Sequence, residues 1–154
     1  LKPVCERHQT LLIVNDDWRL AAELGIKAVH LGEDDGDIEE ARQALGPGSL
    51  IGVSCYASVE RAQALAPVAD YLAFGALFAS GTKPLARPAP LSVFREVQAL
   101  SLARPLVGIG GIDADNIGSV LAAGADAAAV IGALFRQGDV RAAAQRLVAA
   151  AARP

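Results

Sequence analysis

The 154-residue chain carries 14 Lys and Arg against 17 Asp and Glu, a net charge of -3, and 53% of its residues are hydrophobic. That is enough apolar material for one soluble domain with a sizeable core, and without a clustered Lys/Arg stripe it argues against nucleic acid as the main partner. No apolar run approaches the roughly 18 residues that span a bilayer, which leaves no membrane role, and the opening stretch with Lys2, Glu6, Arg7 and His8 does not resemble a signal peptide, so the cytoplasm is the expected compartment.

In chain order, Leu1–Gln9 reads as the end of a helix that runs into a first strand, Leu11–Val14, followed by Asn15, Asp16 and Asp17. The next strand, Ala28–Leu31, leads to Gly32, Glu33, Asp34 and Asp35. Asp37 then caps a helix that carries Ile38, Ala41 and Leu45 on one face and stops at Gly46 and Pro47. Leu50–Ser54 is the third strand; Cys5 and Cys55 read as reduced, incidental thiols. Tyr71–Phe78 is the fourth strand. Ala79–Pro90 follows as a Gly- and Pro-bearing loop that reads as a mobile flap, with Ser80, Gly81, Thr82 and Lys83 in it. A helix carrying Leu91, Phe94 and Val97 precedes the strand Pro105–Ile109, which ends in Gly110-Gly111-Ile112. Asp115 to Gly124 is helical, Ala127–Ile131 is the last strand and meets Gly132, and Asp139 to Ala152 closes the series. The strands are short and apolar throughout, as parallel strands covered on both faces are.

Repeated βα units make either an open doubly wound sheet or a closed (βα)8 barrel. Binding residue types stand after nearly every strand rather than at one switch point, which favours the barrel. A barrel needs eight units and this chain supplies six, and it contains no methionine. It is therefore expected to be a single, incomplete βα-barrel domain over residues 1–154, the C-terminal three-quarters of something longer.

The strand-to-helix junctions of such a fold share one face, where their residues converge. Asp16 and Asp35 end adjacent strands and can share Mg²⁺, which takes one or two carboxylates and completes its shell with water and phosphate. Asp17 and Asp34 are better read as helix caps. Alternation turns Asn15 away from Asp16, a rule that loosens at a strand terminus; Asn15 suits the edge of an aminopyrimidine or the loop backbone. Gly110-Gly111 and Ile131-Gly132 lie where barrels hold phosphate on backbone N–H groups, and Ser80, Thr82 and Lys83 add hydroxyls and a cation.

The segments Leu12–Asp16, Val29–Asp35, Ile51–Ser54, Ser80–Pro84 and Gly108–Ile112, in this order, resemble thiamine phosphate synthase, over about residues 3–136. The resemblance implies a TIM-barrel transferase that joins hydroxymethylpyrimidine diphosphate to hydroxyethylthiazole phosphate. The diphosphate leaves first, and the thiazole nitrogen traps the resulting pyrimidine methylene cation. It implies Mg²⁺ on Asp16 and Asp35, pyrimidine diphosphate contacts from Asn15, Ser54 and Lys83, and a thiazole phosphate site of Ser80, Gly81, Thr82, Gly111, Ile131 and Gly132. Lys83 and Ser54 then take catalytic roles, Lys83 by stabilising charge on the departing diphosphate. On this basis Cys55 is a neighbour of the site and His30 a packed strand-end residue. The partners are small molecules, and a homo-oligomer is compatible. Ser80 stands where threonine is more usual and Gly132 where serine is common. The family's first two βα units, with a Gln-x-Arg-x-Lys-like strand for the diphosphate, have no counterpart here. Two other functions fit the same motifs: a thiazole tautomerase-like isomerase, which would use a histidine where Cys55-Tyr56 stands, and a non-catalytic phosphate-binding barrel.

Overall fold

A computed structural model describes residues 1–79 and 88–152 of the chain. The elements run α1 (Lys2–Arg7), β1 (Val14–Asn15), α2 (Trp18–Glu23), β2 (Ala28–Leu31), α3 (Ile38–Leu45), β3 (Leu50–Tyr56) and α4 (Val59–Leu65). They continue with β4 (Tyr71–Phe74), α5 (Ser92–Ala99), β5 (Leu106–Ile109), α6 (Ile117–Ala122), β6 (Ala127–Ala129), α7 (Gly132–Phe135) and α8 (Val140–Ala151). All six strands are parallel and lie in chain order, β1-β2-β3-β4-β5-β6. This is the α/β architecture of a TIM-type barrel, carried as six βα units.

Side-chain caps start the helices. Asp17 accepts the Leu20 N–H at 2.9 Å, Asp37 those of Glu39 and Glu40, Ser58 that of Arg61 and Asp139 that of Ala142. The expectation for Asp17 holds. That for Asp34 does not: the cap of α3 is Asp37, three residues later, so Asp34 is released to line a cavity. One strand face buries Val29, Leu31, Ile51, Val53, Leu72 and Phe74 beneath the helices, with Phe74 edge-on to Phe94 of α5 at 5.6 Å. Full burial of each such side chain is worth about 1.5–3 kcal/mol. Beneath the sheet two aspartates repeat one device. Asp70 accepts the Ile51 N–H at 2.7 Å and Asp126 the Leu106 N–H at 2.7 Å, each tying the strand it leads into to the strand before it.

Four strands are shorter than the sequence suggests, β5 only by Pro105. β1 and β6 pair on one side only, and Leu11 and Ile13 before β1 and Ile131 after β6 are exposed, so little holds those residues in the ladder. β4 stops at Phe74, beyond which the regular ladder gives way to isolated bonds at the end of β5: Leu77 N–H donates to the Ile109 carbonyl and Phe78 N–H to that of Gly110, each at 3.0 Å. β3 is longer, reaching Tyr56 through an irregularity opposite β4.

Candidate active site

The C-terminal ends of the strands surround a cavity of about 1160 Å³. Its lining includes Asn15 of β1 and Asp16 after it, Asp34 and Asp35 after β2, Ser54 and Tyr56 of β3, Gly110 and Gly111 after β5, and Ile131 and Gly132 after β6. Asn15 and Asp16 therefore face one space, contrary to alternation. Asp16 has a left-handed backbone (φ 69), which turns its side chain back toward the cavity. Ser80, Gly81, Thr82 and Lys83 lie outside the described residues.

The acidic lip is built by the two loops at one side of the cavity. The Asp35 carboxylate accepts the Gly32 N–H at 2.6 Å, a short charge-assisted bond that fixes the carboxylate while leaving lone pairs on both oxygens. The Tyr56 hydroxyl accepts the neighbouring Glu33 N–H at 3.2 Å, closing the loop from the β3 side. Among the described residues no three Asp, Glu, His or Cys side chains converge. A pair of hard carboxylates without thiolate or imidazole fits a cation that draws its remaining ligands from water and phosphate oxygens, as Mg²⁺ does. It does not fit a zinc site.

The opposite side is built from backbone. Gly110 (φ 98) and Gly111 (φ 64) turn the chain after β5 so tightly against the segment after β4 that a Cβ on Gly111 would stand 2.6 Å from the Ala79 carbonyl oxygen and 2.7 Å from that of Phe78. Only glycine fits there. Asn116 Nδ2 donates to the Gly111 carbonyl at 3.0 Å and holds the loop from the other side. Ala79, the last described residue before Ser80, thus rests against Gly111. Ile131 precedes α7 without any side-chain cap, so the first-turn N–H groups of that helix are not taken by one. Arg136 reaches back over Gly132. Asp113 also lines the cavity, but its carboxylate is used locally, accepting N–H groups of Asp115 and Asn116.

On the cavity wall, His30 and Ser54 belong to a polar chain whose third member, Tyr71, lies outside the sequence motifs. His30 bonds Ser54 Oγ through Nε2 and the Tyr71 hydroxyl through Nδ1, each at 2.9 Å. His30 is thus a polar link between strands rather than a merely packed residue. Its clue in the sequence was Gly52, which pairs with His30 on one side and Tyr71 on the other. Cys55 behaves as a bystander: it is fully buried on the helix-facing side of β3, and burial pushes its thiol up to about 12.

The comparisons with known proteins bear on this arrangement directly. The family profile described as thiamine monophosphate synthase matches residues 1–134. This chain belongs to that family. The thiamine-phosphate synthase of Chromobacterium violaceum is 53% identical over 148 residues, covering 96% of this chain and 70% of that protein. That of Methylobacillus flagellatus is 51% identical over 147 residues, covering 95% and 69%. Among solved structures, thiamine phosphate pyrophosphorylase from Pyrococcus furiosus matches with a TM-score of 0.84 and 34% identity over 97% of this chain and 71% of its own. A 3-hexulose-6-phosphate synthase, 22% identical with a TM-score of 0.71, shares the fold alone. Family members are biosynthetic transferases. Among the described residues no helix is long and apolar enough to cross a membrane.

Proposed function

We propose that this protein joins hydroxymethylpyrimidine diphosphate to hydroxyethylthiazole phosphate, giving thiamine phosphate and pyrophosphate. The observation that carries the proposal is the division of one cavity into a carboxylate side, with Asp16 and Asp35, and a backbone-donor side, with Gly111 and Gly132. Two phosphorylated substrates need two such anchorages. Asp16 and Asp35 would hold Mg²⁺, which when bound offsets negative charge gathering on the departing diphosphate. The Gly32 N–H keeps Asp35 turned to the cavity for that purpose. Asn15 and Ser54 orient the pyrimidine between the two anchorages, and Lys83 stabilises the same diphosphate charge. Gly111, Ile131 and Gly132, with Ser80, Gly81 and Thr82, hold the thiazole phosphate. The bond from the pyrimidine methylene carbon to diphosphate breaks first, its electron pair leaving with pyrophosphate, and the thiazole nitrogen then traps the methylene cation. The protein contributes electrostatics and positioning, not a nucleophile. The inertness of Cys55, the side chain next to Ser54, supports that division of labour.

Product formation tests the proposal. Given both substrates and Mg²⁺, the protein should release pyrophosphate in step with thiamine phosphate. Binding of both substrates without pyrophosphate release would mean a phosphate-binding barrel without catalysis.

A further inference from the structure

Three neighbouring strands place His30, Gly52 and Tyr71 in one row, and Ser54 follows two residues along β3 on the same face. The Tyr71 ring crosses directly over Gly52, where any Cβ would overlap it, and so comes within reach of β2, two strands away in the ladder. There it stacks on His30 with ring centroids 5.5 Å apart and planes 24° from parallel. The glycine makes the slot, and the slot brings a phenol to an imidazole.

The direction of the two hydrogen bonds follows from donor and acceptor counting. A phenol always has a proton to place, and among the described residues the Tyr71 hydroxyl bonds only His30 Nδ1. If Nδ1 carried a proton and donated to it, the phenolic proton would be left without a protein acceptor. So the Tyr71 O–H donates, Nδ1 is bare, and the neutral ring carries its proton on Nε2. That N–H donates to Ser54 Oγ, which leaves the serine's own hydrogen free to point into the cavity. The opposite tautomer would consume the Ser54 hydrogen and show the ligand only lone pairs. Burial raises the Tyr71 pKa, keeping it a protonated donor.

We propose that Tyr71 and His30 are positioning residues that set Ser54 as a hydrogen-bond donor, selecting a ligand with an acceptor atom at that point of the cavity. The inference rests on Ser54 facing the pyrimidine half of the ligand pair, and aminopyrimidine ring nitrogens are such acceptors. Tyr71 works here through His30 and touches no substrate.

The chain contains two histidines, so the ring nitrogens can be followed by two-bond ¹H–¹⁵N correlation, with exposed His8 as internal reference. In the ligand-free protein at pH 8, His30 should show a single Nε2–H tautomer. Tyr71→Phe keeps the ring over Gly52 and should move His30 toward a mixture of tautomers. It should weaken pyrimidine diphosphate binding by roughly three- to tenfold, the net worth of one neutral hydrogen bond, and leave thiazole phosphate affinity within twofold. In a Ser54→Ala background Tyr71→Phe should have no further effect on binding, whereas a merely structural role would persist there. An Nδ1–H tautomer in the unaltered protein, or an unchanged tautomer and affinity in Tyr71→Phe, or additive losses in the double variant, would overturn the proposal. If neither compound binds the unaltered protein, the assigned function fails, and the ligand-free tautomers still decide the Tyr71–His30–Ser54 chain.

Discussion

Replacing Gly111 by alanine perturbs the backbone-donor side of the site while leaving every charged group in place. Two costs add. The left-handed backbone (φ 64) strains any L-residue by about 1–2 kcal/mol. The new Cβ would also stand 2.6 Å and 2.7 Å from two carbonyl oxygens, and because these are main-chain atoms the loop or its neighbour must move, at about 1–3 kcal/mol as for other overpacked sites. Gly48→Ala is the control. It has a similar φ of 76 with nothing within 4 Å of the added atom, so it carries the strain alone. Urea unfolding should therefore place Gly111→Ala about 1–3 kcal/mol below Gly48→Ala. Calorimetry should find thiazole phosphate bound at least about tenfold more weakly by the Gly111 variant, an effect of about 1.4 kcal/mol. Equal midpoints for the two variants, with unchanged thiazole phosphate affinity, would refute both the packing argument and the assignment of this loop.

Asp35→Asn retains an oxygen for the Gly32 N–H but loses the charge, so stability should change by less than about 1 kcal/mol while turnover falls and the Mg²⁺ requirement rises. Turnover unaltered across a Mg²⁺ titration would remove Asp35 from the metal site. Cys55 has its folded pKa raised from 9.0 to about 12, so it favours folding fully below pH 9 and loses that contribution as pH rises toward 12. The unaltered protein should lose up to about 1.4 kcal/mol per pH unit across that window relative to Cys55→Ala, measured by chemical denaturation. Asp70→Ala strands the buried Ile51 N–H, which Asp70 accepts at 2.7 Å, and takes the carboxylate at 2.9 Å from the Arg42 guanidinium, which keeps the Ser49 and Val68 carbonyls. It should cost about 2–4 kcal/mol, less than a fully buried pair because the two side chains are 34% and 35% exposed, and should leave ligand affinity at the far end of the strands unchanged.

What the sequence made visible was local. Apolar runs marked every strand, and Asp37, Gly46 and Asp139 marked helix ends, because capping and burial depend on near neighbours. The cavity residues Asn15, Asp16, Asp35, Ser54 and Gly111 were also apparent, since a parallel βα series puts all its junctions on one face. Strand limits were less so. Where β4 ends depends on how its backbone meets the end of β5 at Ile109 and Gly110, more than 30 residues away. Asp34 looked as able to cap a helix as Asp37, and only the actual start of α3 separates them. The Tyr71–His30–Ser54 chain spans three strands, and its one clue, a glycine inside an apolar strand, acquires meaning only when the register sets Tyr71 beside it. Tyr56 reaches the cavity through the irregularity at the end of β3 and Arg136 from the end of α7, which no spacing rule conveys.

Titration calorimetry of the 154-residue chain with each substrate, in Mg²⁺, is the most direct measure of whether this cavity is a thiamine phosphate synthase site. The proposed backbone anchorage at Gly111, Ile131 and Gly132 lies wholly within the chain, whereas the Gln-x-Arg-x-Lys-like segment that the family resemblance implies for the diphosphate is not among its residues. Thiazole phosphate should bind with one-to-one stoichiometry and more tightly than the pyrimidine diphosphate. Tighter binding of the diphosphate, or no binding of thiazole phosphate by the folded chain, would contradict it.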